Sequence, residues 1–160
     1  MPAITPCLWF DSQAEEAARF YVALFPNSRV ISTAAAPEGT PGGRDDVPLT
    51  VEFELDGARF TGLNGGPHFT FNEAVSFQID CADQAEVDYY WEGLLADGGQ
   101  ESQCGWLQDR FGLAWQVVPR RLNELMTDDD PERASRAMKA MLQMRKLDVA
   151  AIEAAANATS

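Results

Sequence analysis

One pattern in this sequence constrains its fold more than any other: a strand, a capped helix and three further strands occur in that order twice. The first copy opens with an apolar run over residues 4–10, and the second with strict alternation of apolar and polar residues over 74–81. Ser12 and Asp83 lie 71 residues apart, and each precedes apolar residues at helical spacing, so they are the predicted N-caps. The side chains of the two copies differ, so the repeat is one of structural pattern.

The repeat predicts an α+β fold with two βαβββ modules, at about residues 3–66 and 73–119. Together the modules make a predicted domain over residues 1–119. Helical periodicity resumes after that point and predicts a C-terminal helical extension over 120–160. The chain of 160 residues is thus expected to consist of two half-length modules and a tail.

In the extension, a short helix is expected over residues 120–126. Asp130 followed by Pro131 predicts the start of a long amphipathic helix that runs to Ile152. A methionine-rich stripe follows one face of this helix. Two interpretations of the stripe stay open: packing on its own domain or across a dimer, and docking of a partner.

Charge and cysteine content narrow the partners and the compartment. Twelve Lys and Arg stand against 25 Asp and Glu, for a net charge of −13, whereas nucleic acids and anionic membranes require clustered basic residues. Neither is therefore expected as a partner. Three scattered cysteines, Cys7, Cys81 and Cys104, make a poor disulfide framework and indicate a reducing compartment. With no signal-peptide pattern and no apolar run of membrane-spanning length, a cytoplasmic location is expected.

Two residues are candidates for catalysis, and each has a plain alternative. His68 is the only histidine and could serve as a general base, but it follows Pro67 in a predicted loop with no partner evident in the sequence, and an exposed loop histidine is the favoured interpretation. Cys104 could act as a nucleophile if a base lay beside it, although no such base is evident in the sequence. The catalytic residues are therefore left unassigned.

Six groups of residues in this sequence are distinctive: Leu8–Phe10, Glu15–Ala17 with Phe20–Tyr21, Leu63–Pro67, Ala74–Gln78, Cys104–Trp106 and Gly112–Pro119. They resemble the PhnB-like family, many of whose members are labelled 3-demethylubiquinone-9 3-methyltransferase. This family is a branch of the vicinal oxygen chelate superfamily, with glyoxalase I, bleomycin-resistance proteins and extradiol dioxygenases. The resemblance covers roughly residues 3–155 and implies two βαβββ modules in a cupped, incomplete barrel, together with a homodimer.

The resemblance also implies where a metal ion would bind, on the first and last strand of each module. Those positions correspond here to Pro6, Thr61, Ala74 and Gln116, of which only Gln116 is a usable ligand. No metal site is therefore expected. The methyltransferase label implies S-adenosylmethionine, but a typical enzyme of that kind has an alternating α/β sheet with a glycine-rich first turn. No such turn is present, so no cofactor is expected.

The remaining candidate is the lining of the cup. If Gln116 points inward, alternation places Ser76 and Gln78 beside it and turns Val75, Phe77 and Ile79 toward a helix. This lining suits a small organic ligand with hydrogen-bonding groups. We expect metal-independent binding without a defined reaction; the alternatives are an enzyme of the superfamily and a purely structural protein. The predicted ligand-binding residues are Phe10, Thr61, Ser76, Gln78, Trp106 and Gln116.

Overall fold

Each copy of the repeat forms its own four-stranded mixed sheet in the computed structural model, which describes residues 2–159. The chain divides into two compact units, one ending at Phe71 and the other beginning at Asn72. The C-terminal helices belong to the second unit. The predicted α+β fold, with two βαβββ modules and C-terminal helices, is confirmed.

In the first unit, strand β1 is followed by helix α1 and three antiparallel strands. β1 runs parallel to β4, which gives the sheet order β1-β4-β3-β2. The elements are β1 Cys7–Phe10, α1 Ala14–Leu24, β2 Arg29–Ala34, β3 Thr50–Leu55 and β4 Ala58–Asn64.

The second unit repeats this topology strand for strand. β5 runs parallel to β8, and the sheet order β5-β8-β7-β6 matches that of the first sheet. The elements are β5 Ser76–Cys81, α2 Gln84–Leu95, β6 Gln100–Glu101, β7 Trp106–Gln108 and β8 Ala114–Pro119. The repeat recognised in the sequence is therefore a repeat of topology.

One face of each sheet is buried beneath the helix of its own module. In β3 every second residue is buried, because the side chains of a strand alternate between its two faces. Phe53 lies at the centre of this core, with its ring 6.2 Å from that of Tyr21 in α1 and 5.3 Å from that of Phe60 in β4. In the second unit, α2 packs against β5, β7 and β8.

The predicted N-cap of α1 is wrong, whereas that of α2 is confirmed. The N-cap position of α1 is Gln13, whose side chain makes no capping bond, and the free N–H of Ala14 donates instead to Oδ1 of Asn64 at 2.9 Å. At α2, the Asp83 carboxylate accepts the N–H of Glu86 as predicted. A residue 50 positions away therefore caps the first helix and joins it to the end of β4.

The two module-opening strands begin later than predicted. At the second, the N–H of Ala74 donates to the side chain of Asn72, which holds the chain in a turn before β5 starts at Ser76. Val75 is 65% exposed, so the prediction that it faces a helix is wrong. The first strand likewise begins at Cys7.

The C-terminal extension contains three helices: α3 Arg120–Met126, α4 Pro131–Met141 and α5 Val149–Asn157. The predicted short helix over residues 120–126 is confirmed. The prediction of one long helix is wrong, because α4 ends at Met141 and a separate helix, α5, begins at Val149. A new N-cap explains the second start, since the Asp148 carboxylate accepts the N–H of Ala151. Met141, a methionine of the predicted stripe, packs against the core of the extension together with Met126 and Met144, so that part of the stripe packs within its own chain.

No helix within residues 2–159 combines the length and the apolar character that a bilayer crossing requires.

Candidate functional site

Four of the six predicted ligand-binding residues lie on one face of the second sheet. The parallel register sets Gln78 opposite Gln116, and the antiparallel register sets Trp106 opposite Gln116. Ser76 lies two residues before Gln78 and therefore shares its face. We call this surface, made by Ser76, Gln78, Trp106 and Gln116, the polar face of the second sheet.

The opposite face of the same sheet is apolar and packs under α2. The ring of Phe77 lies 5.6 Å from that of Trp115, and Val117 is fully buried on the next strand position. The predicted orientation of Phe77 toward a helix is consistent with this arrangement. Because the apolar face supplies the core of the second unit, the residues of the polar face are not part of that core.

A short chain of hydrogen bonds crosses the polar face. Nε2 of Gln116 donates to Oγ of Ser76 at 2.9 Å, and Nε2 of Gln78 donates to Oε1 of Gln116 at 3.4 Å. Within the described chain, the Ser76 hydroxyl hydrogen and the Gln78 carbonyl oxygen have no further partner. The chain therefore ends in one available donor and one available acceptor.

Trp106 differs from the other tryptophans in how its indole N–H is used. Trp9 donates to the carbonyl of Gly66, Trp91 to the carboxylate of Glu101, and Trp115 to that of Asp109, at 2.9, 3.1 and 2.9 Å. In residues 2–159, Trp106 has no acceptor for its indole N–H. A half-buried indole with an unused donor is available to a ligand.

Trp106 also lines a cavity of about 140 Å³ at the edge of the second sheet. Glu73 contributes from the loop before β5, and its carboxylate accepts from the amide of Gln108. Sequence analysis missed both residues. Gln108 could have been found, because it lies two residues after Trp106 on the same strand and therefore on the same face; Glu73, in an irregular segment, gives no such signal. The lining residues are Glu73, Gln100, Glu101, Ser102, Trp106, Leu107 and Gln108.

A larger hollow of about 430 Å³ lies between the starts of α2 and α5. Its polar groups are already engaged with one another. Asp83 caps α2, Gln84 bonds both the carbonyl of Leu147 and the N–H of Val149, and Arg121 pairs with Glu153 at 2.6 Å. This hollow therefore joins the extension to α2 and offers few free groups to a ligand.

On the first sheet, the register separates the two other predicted residues. Thr61 is opposite Cys7 and Glu52, whereas Phe10 is opposite Asn64 on the other face and is 3% exposed. The expectation that Phe10 lines the same surface as Thr61 is wrong, because the predicted alternation was displaced by one residue along β1. The Thr61 hydroxyl lies 2.9 and 2.8 Å from the two carboxylate oxygens of Glu52 and donates to that group.

The two candidates for catalysis are placed differently. His68 is exposed in the loop after β4. Cys104 is half-buried with a φ of 61°, and its backbone N–H donates to the carbonyl of Met144. Cys81 is not a candidate for catalysis. Its burial, and to a smaller extent the nearby carboxylates of Glu86 and Asp80, raise the pKa of its thiol to about 12. Cys81 is therefore a protonated core residue at neutral pH.

The residues at the metal positions of the superfamily do not fit a bound metal ion. On the first sheet, Pro6 has no donor atom and the Thr61 hydroxyl is held by Glu52. On the second, the Gln116 amide is held by Ser76 and Gln78. Across residues 2–159, no group of three or more His, Cys, Asp and Glu side chains has the arrangement of a metal site. No chemical step is therefore derived through a metal.

Comparison with known proteins agrees with the topology. The family model described as 3-demethylubiquinone-9 3-methyltransferase matches residues 2–118. The structure of a PhnB protein from Bacillus cereus, which is named as a 3-demethylubiquinone-9 3-methyltransferase, is 30% identical over 74% of this chain and 99% of that chain, with a TM-score of 0.66. No curated protein matches the chain.

More distant structures share the fold. Protein PA1353 from Pseudomonas aeruginosa is 18% identical, covers 74% of this chain and 98% of its own, and has a TM-score of 0.60. The fosfomycin resistance protein FosX from Listeria monocytogenes is 15% identical over 79% of this chain and 98% of its own, with a TM-score of 0.53. The twofold βαβββ topology, the extent of the family match and the similarity to PhnB together show that this chain belongs to the 3-demethylubiquinone-9 3-methyltransferase (PhnB-like) family.

Proposed function

We propose that this protein binds a small organic molecule on the polar face of the second sheet, without a metal ion. The observation that carries the proposal is the hydrogen-bond chain from Gln78 through Gln116 to Ser76, which ends in an available acceptor and an available donor. Trp106 adds an aromatic surface and an unused indole N–H beside it. A few directed polar groups next to an aromatic side chain are typical of small-molecule sites.

The proposal is one of binding, with no defined reaction. The side chains of the polar face are a hydroxyl, two amides and an indole, which do not exchange protons near neutral pH. Such groups orient a molecule by hydrogen bonds, whereas general acid–base catalysis needs a group whose pKa lies near the working pH. The proposed binding set is Ser76, Gln78, Trp106 and Gln116; Thr61 is not included because its hydroxyl is engaged by Glu52.

We also propose that the protein is a homodimer located in the cytoplasm. The superfamily resemblance supports the dimer. Cys7, Cys81 and Cys104 are all free thiols, which supports a reducing compartment. Sedimentation analysis tests the dimer directly: a single species of monomer mass at micromolar concentration would contradict it.

A ligand screen tests the binding proposal. Purified protein is mixed with a set of small neutral amides, lactams and alcohols, and its melting temperature is measured with each. Because a ligand that binds only the folded state raises the melting temperature, at least one compound is expected to stabilise the wild type.

A matched pair of variants locates the site. Gln116→Ala removes the centre of the hydrogen-bond chain, and Gln143→Ala removes an exposed glutamine between α4 and α5. We expect Gln116→Ala to weaken binding of the stabilising compound about 10-fold, the equivalent of one hydrogen-bonded polar pair, and Gln143→Ala to leave it unchanged. Equal affinity for both variants would refute the proposed site.

A further inference from the structure

The cavity beside Trp106 has a charge that the polar face itself lacks. Two of its seven lining residues, Glu73 and Glu101, are acidic, and none of the seven is basic. The other lining groups are two amides, a hydroxyl, a leucine and the indole. From this combination we propose that the cavity holds the positively charged head of a small organic amine or quaternary ammonium compound. The inference rests on the proposed function and names the class of its ligand.

Glu73 is the main source of the uncompensated charge. In the part of the chain that the structure describes, its carboxylate has no cationic partner; its hydrogen bond is with the amide of Gln108. That bond orients the carboxylate without neutralising it. Glu101 is partly compensated, because Nη1 of Arg145 lies 3.6 Å from its Oε2 and the indole of Trp91 donates to its Oε1. The cavity is therefore left with a net negative charge.

Trp106 supplies the second element of recognition. Its backbone is fixed in β7, where its N–H donates to Gln103 and its carbonyl accepts from Ser102, so the side chain is presented from a defined position. The face of an indole attracts an organic cation more strongly than any other aromatic side chain does. The unused indole N–H adds a donor for a hydroxyl or ether oxygen carried by the same ligand.

The same cavity is unsuited to anions. Phosphate, phosphonate and carboxylate groups are recognised by Arg and Lys side chains or by clustered backbone N–H groups, and the lining has no basic residue. The Ser76 and Gln78 ends of the hydrogen-bond chain can then bind the uncharged remainder of the ligand. A cationic amino alcohol, with one charge and at least one hydroxyl, satisfies both parts.

The experiment compares choline with 3,3-dimethyl-1-butanol, which has the same shape and no charge. Binding to the full-length protein is measured by titration calorimetry and by the ¹⁵N–¹H signal of the Trp106 indole. We expect choline to bind at least about 10-fold more tightly than its uncharged analogue, which corresponds to one cation–π contact together with a carboxylate.

Three variants assign the effect to the cavity. Glu73→Gln keeps the hydrogen-bonding shape and removes the charge, and we expect it to weaken choline binding about 3- to 10-fold. Glu38→Gln removes the same charge from an exposed loop of the first unit and is expected to change nothing. Trp106→Leu is expected to abolish the preference for choline. Trp106→Phe retains an aromatic ring and is expected to reduce this preference; it serves as the second variant if leucine disturbs the fold.

The possible outcomes separate this inference from the proposed function. Equal binding of choline and its uncharged analogue, or unchanged choline binding by Glu73→Gln, would overturn the cation site and leave the polar face as the binding surface. If neutral compounds bind, if their binding depends on Gln116 and if choline does not bind, the cation site is likewise overturned and the polar face remains the binding surface. If no compound shifts the Trp106 signal and Gln116→Ala has no effect on any affinity, both proposals fail.

Discussion

At the scale of single residues, Asn64 connects three parts of the first unit. It ends β4, its Oδ1 accepts the first N–H of α1, and its Nδ2 donates to the carbonyl of Pro48 at 2.9 Å. The side chain is only 6% exposed, so water cannot easily replace these bonds. The Asn64 amide therefore joins α1, the end of β4 and the loop before β3 by hydrogen bonds.

Replacing this amide should therefore be costly. We expect Asn64→Ala to lower the free energy of unfolding by roughly 2–3 kcal/mol, because it leaves a buried helix N–H and a carbonyl without partners. The comparison variant is Asn72→Ala, whose exposed side chain accepts one N–H in a turn and should cost about 0.5 kcal/mol or less. Urea denaturation measures both values, and equal losses would show that Asn64 has no special role.

Cys81 gives a pH-dependent prediction at the same scale. Its pKa is raised from 9.0 to about 12 in the folded protein by burial and nearby carboxylates. The unfolded chain therefore loses this proton first, so the free energy of unfolding should fall as pH rises from about 9 toward 12, by at most about 1.4 kcal/mol per pH unit. Below pH 9 the thiol is protonated in both states and has no effect.

The Cys81→Ala variant isolates this contribution. Its stability at neutral pH should be lower because a buried side chain is shortened, but its decline above about pH 9 should be less steep than that of the wild type. Denaturation at a series of pH values provides the two curves. Parallel curves above pH 9 would mean that the thiol does not titrate abnormally.

At the scale of elements, the segment between α4 and α5 is fastened to the turn before β7. The N–H groups of Cys104 and Gly105 donate to the carbonyls of Met144 and Arg145, each at 2.8 Å. Leu147, fully buried, lies directly against Gly105. The extension therefore supports the strand that carries Trp106.

A comparison of two glycines tests this packing. Gly105 and Gly39 share a φ of +85°, but a Cβ at Gly105 would lie 2.9 Å from Cδ1 of Leu147, whereas one at Gly39 would meet nothing within 4 Å. In both alanine variants the left-handed backbone conformation should lower the free energy of unfolding by roughly 1–2 kcal/mol. Gly105→Ala should cost roughly 1–3 kcal/mol more, because the core around Leu147 must move. Similar losses in urea denaturation for the two variants would show that the extension is packed loosely on this turn.

Local patterns in the sequence predict most helices and strands, but they do not predict a helix start that depends on a residue far away in the chain. Asp83 caps its own helix, so the start of α2 was predictable, whereas α1 is capped by Asn64, which no local pattern around Ser12 can indicate. The break after α4 contains no proline or glycine, and the capping signal at Asp148 was outweighed by continuous helical spacing. The sequence predicts an element more reliably than it predicts the element's partner.

The candidate site was predicted to a similar extent. Alternation along β5 and β8 correctly places Ser76, Gln78 and Gln116 on one face, because both strands are regular. For Phe10 the same reasoning failed, since the register of β1 against β4 is fixed by pairing with residues more than 50 positions away. The cavity residue Glu73 depends on a loop whose path the sequence pattern does not specify.

At the scale of the whole molecule, two sheets of identical strand order serve different ends. Each uses one face for a helix-covered core, and within residues 2–159 only the second presents a continuous hydrogen-bond chain with free ends on the other face. The net charge of −13 fits the acidic cavity next to that chain and disfavours anionic partners. The two sheets therefore share one topology and differ in the side chains of the face that the helix does not cover.

The central claim, that small molecules bind at the polar face of the second sheet, is tested most directly by the four indole ¹⁵N–¹H signals. The compounds that stabilise the protein are titrated while these signals are recorded. We predict that the signal of Trp106 shifts, while those of Trp91 and Trp115, whose N–H groups are held by Glu101 and Asp109, stay in place. A stabilising compound that leaves Trp106 unmoved, or that shifts all four signals equally, would contradict the claim.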